Sequence, residues 1–192
     1  MANNIILFDI DGVLADFILG YTKLGMKMGF LNHAWSTLSQ REWDMPEIPK
    51  MQQSAIWEKI KQDSWFWTEL EPLQDKNTFE EINDLECLGS AVYFVTSRPG
   101  VNVKNQTELW LKERGILRPT VLISSLKGQI ASGLKATHLI DDKAGNCVYV
   151  AYESPRTQVY LLDREYNRFD PSVIGRKVMR IPDIKTFLEA VK

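Results

Sequence analysis

The stretch "IILFDIDGVLADF" (residues 5–17) decides the fold. An unbroken apolar run, Ile5 to Phe8, ends in two aspartates, Asp9 and Asp11, with Gly12 directly after them. A near-continuous apolar run is the mark of a strand buried on both faces, as in parallel sheets. Its tip therefore carries two carboxylates two positions apart. Like charges that close repel, so something at the tip has to offset the cost.

Further runs of the same kind follow at "AVYFV" (91–95), "TVLI" (120–123), "THLI" (137–140) and "QVYLL" (157–161), with a weaker one at "KVMRI" (177–181). Amphipathic helical patterns separate several of them. "TFEEINDLECLG" (78–89) opens with a capping-box pattern, Thr78 to Glu81, and stops at Gly89. The helix predicted over 102–114 stops at Gly115 and carries Trp110 on its core side, and "IPDIKTFLEAVK" closes the chain. Strands alternating with helices predict an α/β fold, a Rossmann-like, doubly wound parallel sheet.

One region breaks the rhythm. Residues 18–74 contain no convincing strand and read as helices over roughly 16–29, a short one opened by Ser39 and Glu42, and another over 50–63. They hold five of the six tryptophans, which is too much chain and too much aromatic surface for a plain crossover. The expected organisation is a core domain built from 1–17 and 75–192, with a small helical cap inserted as 18–74.

Composition narrows the function. A net charge of −2, with Lys and Arg scattered, offers no field for a nucleic-acid backbone, so no stable nucleic-acid complex is expected. No apolar window approaches the length of a membrane span. The polar start "MANN" has no basic leader, and Cys87 and Cys147 form no CxxC pair. They are expected to be buried small residues in a reducing compartment, which predicts a cytoplasmic protein.

In open parallel sheets ligands bind beyond the carboxyl ends of the strands, where strand order reverses. There the first strand supplies Asp9 and Asp11, the second Thr96, Ser97 and Arg98, and the fourth Asp141 and Asp142, while Lys127 follows the third. A strand-end aspartate on its own more often caps a loop; four at matching strand ends are a cluster. Two unit charges about 4 Å apart interact by roughly 4 kcal/mol at an effective dielectric near 20, so such a cluster needs a cation or protons. Oxygen ligands without nearby His or Cys point to a hard ion, Mg²⁺. Lys127 and the Thr96 hydroxyl add groups suited to an anion. Together they describe a phosphate site with a nucleophile beside it.

"DIDGVLAD", the hydroxyl in "VTSR", the later lysine and "LIDD" resemble, in order and spacing, the four motifs of the haloacid dehalogenase-like phosphatase superfamily. The resemblance implies that Asp9 is the nucleophile, that Asp11 exchanges a proton with the leaving group and then with water, and that Thr96 and Ser97 hold phosphate oxygens. It implies that Lys127 offsets charge, and that Mg²⁺ sits on Asp9, the Asp11 carbonyl and Asp141, with Asp142 acting through a water. Dehalogenases of the superfamily lack the second aspartate, so Asp11 favours a phosphatase.

Within the insert, "LADF" and "IWEKIKQDSWFWTELEPL" resemble the 5'(3')-deoxyribonucleotidases. That implies a nucleoside monophosphate as substrate, with Phe17, Trp57, Trp65, Phe66 and Trp67 as candidates to hold the base. Arg98 is extra to that family's pattern and is a candidate for phosphate or sugar, with an exposed salt bridge as the equal alternative. Trp57 reads equally well as cap core. The alternatives are another small phosphate ester or a polynucleotide end, and, from another class, a nucleotide-binding protein without catalysis. Exposed cap aromatics would equally support a homodimer.

Overall fold

The computed structural model describes residues 4–31 and 48–192. In chain order the elements are β1 (Ile5–Phe8), α1 (Phe17–Lys27), α2 (Lys50–Gln62), α3 (Lys76–Cys87), β2 (Ala91–Thr96), α4 (Val103–Glu113), β3 (Val121–Ile123), α5 (Lys127–Leu134), β4 (His138–Asp141), α6 (Ala144–Glu153), β5 (Gln158–Leu162), β6 (Val178–Ile181) and α7 (Ile184–Val191). Two short 3-10 turns, Glu165–Asn167 and Pro171–Val173, lie between β5 and β6. The helix expected at Ser39–Glu42, with Trp35 and Trp43, lies outside the described residues.

All six strands are parallel, in the order β3-β2-β1-β4-β5-β6. β1 is central, and its side chains alternate between two apolar clusters: Ile6 and Phe8 face one, Leu7 the other. All three are fully buried, which is why the run has no polar position. Each such side chain contributes about 1.5–3 kcal/mol by leaving water. Phe8 lies opposite both Phe94 of β2 and Ile140 of β4, so these three strands end level with one another. The chain turns to β2 on one side of β1 and later to β4 on the other, which places the reversal of strand order at the tip of β1.

Three of the seven α-helices among the described residues begin at an aspartate. Asp16 accepts from the Leu19 amide at 2.9 Å and opens α1; Asp183 accepts from the Thr186 amide at 2.8 Å and opens α7. The capping box expected at Thr78 is a correction. Asp75 is the cap, taking both the amide and the hydroxyl of Thr78 at 2.9 Å, so α3 starts earlier.

α1 and α2 share one apolar cluster with the sheet: Phe17, Ile18 and Tyr21 of α1 and Ile56 and Ile60 of α2 belong with Phe8, Phe94 and Phe187. The return segment is tied at both ends. The Leu73 amide donates to Leu14 O at 2.7 Å and the Asp16 amide to Glu71 O at 2.8 Å. At the end of α2, the Val101 amide donates to Lys61 O at 3.1 Å. Gly100, with φ of +124°, presses so close there that a Cβ would lie 2.9 Å from that carbonyl oxygen. No helix among the described residues is long and apolar enough to cross a membrane. Cys147 is buried as expected, whereas Cys87, at the end of α3, is exposed.

Candidate active site

β1 stops at Phe8, but the Asp9 amide still donates to Ile140 O at 2.9 Å, so Asp9 keeps its place in the sheet. The chain then leaves it. The amides of Leu14 and Ala15 both donate to Ile10 O at 2.8 Å, closing a tight turn that carries Asp11. This break in alternation lets Asp9 and Asp11 open into the same cavity. Gly12 makes the turn possible for two reasons. Its φ is +81°, and a Cβ there would lie 2.1 Å from Asp142 Oδ2.

The cavity has a volume of about 810 Å³ and lies at the carboxyl ends of the central strands. Asp9, Asp11, Thr96, Ser97, Lys127 and Asp142 line it. The six residues come from four separate segments, and the expected convergence is the arrangement found. Lys127, the first residue of α5, bridges Asp9 Oδ1 and Asp141 Oδ2, each at 2.6 Å. A cation at a helix start opposes the helix dipole; here two carboxylates offset that. Burial draws the Lys127 ammonium down, yet Asp141 and Asp9 more than offset it and raise its pKa.

Asp9 is raised well above the usual carboxylate range, chiefly by burial, with Asp141, Asp142 and Asp11 adding repulsion against the pull of Lys127. Burial and Asp141 push Asp142 up to about 6. Three of the four carboxylates, Asp9, Asp11 and Asp141, are thus paired with two buried cations, Lys127 and Arg98, while Asp142 has no ion pair among the described residues. Asp9, Asp141 and Asp142 each offer an oxygen within 4.8 Å of the others, and all three are buried. An all-oxygen, negatively overcharged donor set of this kind fits a hard divalent cation such as Mg²⁺.

Asp141 and Asp142 differ in their surroundings. Asp141 is fully buried, and its carboxylate is taken by Lys127, by the Lys143 amide at 2.7 Å and by Asn146 Nδ2 at 3.1 Å. Asp142 is the one that opens to the cavity. Its carboxylate accepts from the Tyr166 hydroxyl, and its backbone carbonyl accepts from Asn167 Nδ2 at 2.6 Å. Tyr166, Asn167 and Asn146 went unnoticed in the sequence. The first two sit in "REYNRF" after β5, where no periodicity marks them; Asn146 lies in the first turn after the paired aspartates.

Arg98 is a second correction. It was expected at the substrate, yet its side chain is fully buried and does not line the cavity. Its guanidinium donates to Asp11, Nη2 to Oδ1 at 2.7 Å and Nε to Oδ2 at 2.9 Å, and Nη1 donates to Thr107 Oγ1 at 3.2 Å. Thr96 Oγ1 also lies 3.3 Å from Asp11 Oδ2.

The cap aromatics pack mainly on one another. Phe17 stacks against Trp57 at 5.4 Å and Trp67 at 5.7 Å, and Phe66 meets Trp67 edge-on at 4.9 Å. Trp67 is buried, Trp57 partly buried, and Trp65 is 61% exposed. A second, smaller recess of about 230 Å³ is lined by Phe17, Ile18, Leu73, Arg164 and Arg168, and shares Tyr166 with the main cavity.

No protein-family profile matches the chain, and no curated relative is similar to it in sequence. Solved structures are similar in fold. A putative haloacid dehalogenase-like hydrolase from Burkholderia xenovorans superposes with a TM-score of 0.58 at 15% identity, covering 97% of this chain and 98% of its own. A HAD family hydrolase from Deinococcus radiodurans, with bound phosphate and sodium, gives 0.61 at 13% identity, covering 98% and 94%. A dehalogenase with an intermediate complex gives 0.63 at 11% identity, covering 98% and 96%. At these identities the likeness is one of architecture, and it spans nearly the whole chain: this protein has the Rossmann-like fold of the haloacid dehalogenase-like hydrolases.

Proposed function

We propose that this chain is a Mg²⁺-dependent phosphomonoesterase that works through an aspartyl-phosphate on Asp9. The observation that supports it most directly is the shared cavity, where a nucleophile, a second carboxylate, a hydroxyl and an ammonium from separate strand ends lie together. Asp9 attacks phosphorus, and the bond to the leaving oxygen breaks with its electron pair going to that oxygen. Asp11 delivers a proton to it. Asp11 then takes a proton from water, whose oxygen attacks phosphorus and releases phosphate from Asp9. Lys127 pulls Asp9 toward its ionised form against the burial that raises it, and Thr96 and Ser97 would donate to a phosphate oxygen. Asp9, Asp141, Asp142 and the Asp11 carbonyl are the groups that would hold Mg²⁺. When bound, the ion neutralises charge on the phosphoryl group and on the carboxylates around it.

The substrate proposed is a nucleoside 5'-monophosphate, deoxy or ribo. Its support is the smaller recess beside the phosphate site, which joins apolar walls at Phe17, Ile18 and Leu73 to Arg164 and Arg168, with Asp16, Asp163 and Glu165 also lining it. A base has an apolar face and carbonyl acceptors, and stacking on an aromatic contributes about 1–3 kcal/mol in nucleic-acid binding proteins. Halide displacement needs no proton donor, so an Asp11 this firmly held argues against a dehalogenase.

Phosphate release from nucleoside monophosphates, sugar phosphates and p-nitrophenyl phosphate, with and without EDTA, tests both levels. The reading expects Mg²⁺-dependent turnover, fastest on nucleotides and abolished in Asp9→Asn. Equal or faster turnover of sugar phosphates removes the nucleotide. Nucleotide binding without turnover makes the chain a binding protein, and halide release from a haloacid makes it a dehalogenase.

A further inference from the structure

Arg98 poses a physical problem. A fully buried guanidinium costs several kcal/mol of desolvation, and a buried ion pair is weak evidence of stability, because apolar residues of similar size often do as well. What such a pair does fix is direction. The planar fork of an arginine grips a carboxylate through two parallel N–H donors, which a lysine cannot reproduce.

The surroundings of Arg98 leave it little freedom. Its guanidinium carbon lies 4.8 Å over the Trp67 ring and 6.0 Å from that of Trp110. Trp67 is itself fixed: Nε1 donates to Pro99 O at 3.1 Å, and its amide donates to Gln106 Oε1 at 3.0 Å. Thr107 takes the remaining guanidinium nitrogen. The clamp ends on Asp11, which shares the cavity with Asp9, while Arg98 stays outside it. Arg98 holds both oxygens of Asp11, Oδ1 through Nη2 and Nε and Oδ2 through Nε, with Thr96 also on Oδ2, so the plane and heading of the carboxyl group are fixed.

We propose that Arg98, seated on Trp67 and Thr107, is a positioning residue that aims the Asp11 carboxyl group at the leaving-group oxygen. The proposal rests on the phosphomonoesterase reading. In the step concerned, the phosphorus–oxygen bond to the leaving group breaks as the Asp11 proton moves to that oxygen, and Asp11 is left as a carboxylate held by Arg98. The consequence is selective. An alkoxide needs the proton to depart, whereas a nitrophenolate leaves largely unaided. Loss of aim therefore harms alkyl esters and largely spares aryl ones.

The test compares kcat/KM for an alkyl phosphate, a nucleoside 5'-monophosphate or glycerol phosphate, with that for p-nitrophenyl phosphate. This ratio reads the steps through departure of the leaving group, so the later attack of water does not enter. General acid catalysis contributes about 10²–10⁴-fold, so Arg98→Met is expected to lose about 10–100-fold more on the alkyl ester than on the aryl one. Arg98→Lys keeps the charge without the fork and is expected to keep most of that selective loss. Thr107→Val, close in shape, removes one support and is expected to show the same selectivity at smaller size, and it serves if Arg98→Met does not fold. Equal losses on both esters, or full rescue by lysine, overturn the proposal. If the wild type hydrolyses neither ester, it is the phosphomonoesterase reading that has failed.

Discussion

The Tyr166 hydroxyl donates to Asp142 Oδ2, while the next residue, Asn167, holds the backbone carbonyl of the same aspartate at 2.6 Å. One short turn after β5 thus fixes both the side chain and the backbone of the aspartate that opens to the cavity. The hydrogen bond from Tyr166 and the charge of Lys127 both favour the ionised form of Asp142, against the upward push of burial and Asp141. The tyrosine in turn is raised above its ordinary range by burial and by Asp142, so it stays a donor at any physiological pH.

Outer partners of metal ligands typically carry about 10–100-fold in metal affinity or activity. Tyr166→Phe keeps the ring and removes only the donor. It is expected to weaken Mg²⁺ binding about tenfold, read as a shift in the Mg²⁺ concentration that half-saturates turnover and that half-saturates thermal stabilisation. Unchanged half-saturation in both readouts would mean that Asp142 does not serve the ion.

Gly12 offers a sharper test of how the turn and the site depend on each other. An alanine there meets an unfavourable φ of +81° and places its methyl 2.1 Å from Asp142 Oδ2 and 2.7 Å from the Tyr166 hydroxyl. Strain of this kind costs about 1–3 kcal/mol before any contact is moved. Gly12→Ala is expected to lower the urea midpoint and to abolish phosphate release, because relief of the clash displaces Asp142 or Asp11. Full activity in Gly12→Ala would show that the turn is looser than its geometry indicates.

Much of this arrangement was legible because it follows from local rules. The apolar runs ended where polar strand tips began, and a parallel sheet has to place those tips on one edge, so Asp9, Asp11, Thr96, Lys127 and the Asp141–Asp142 pair could be read together. What escaped depended on longer-range facts. Neighbours on a strand end differ only in which way they point, and Asn146 and Lys127 settle that Asp141 is the inward one. Arg98 looked like a substrate ligand because nothing in "TSRPG" announces Thr107 or Trp67 beneath it. Asp75 and Thr78 are both good caps three residues apart, and only the backbone of the turn chose between them.

The cap tryptophans divide by the same reasoning. Trp67 is buried among Phe17, Phe66 and Arg98, whereas Trp65, two residues earlier, is 61% exposed. Trp67→Ala is expected to destabilise the fold by about 3–5 kcal/mol, the usual cost of emptying a buried aromatic site. Trp65→Ala is expected to leave the urea midpoint nearly unchanged. If Trp65 also meets the base, its loss raises KM for nucleotides and not for p-nitrophenyl phosphate. An equal change in KM on both esters, or none on either, would mark it as a surface residue without a role in binding the base.

His138 carries the pH dependence most open to measurement. It opens β4 at the far end of the strand from the carboxylates, 8% exposed, with Nδ1 2.9 Å from Thr137 Oγ1 and its ring stacked 6.2 Å from Tyr160. Burial holds its imidazole below the ordinary range. The unfolded chain, whose imidazole titrates near ~6.5, therefore binds more protons than the folded one as pH falls through that region. Stability with respect to His138 is flat above that value, declines as pH drops below it, and stops declining once the folded imidazole itself protonates. His138→Phe keeps a ring against Tyr160 and removes the titration. With Mg²⁺ held saturating, so that the carboxylate site contributes alike to both proteins, the difference in urea midpoint is expected to be constant above pH ~6.5 and to turn in favour of the variant below it. A difference that stays constant from pH 8 to pH 5 would mean that His138 protonates as easily inside the fold as outside it, and that its burial carries no electrostatic cost.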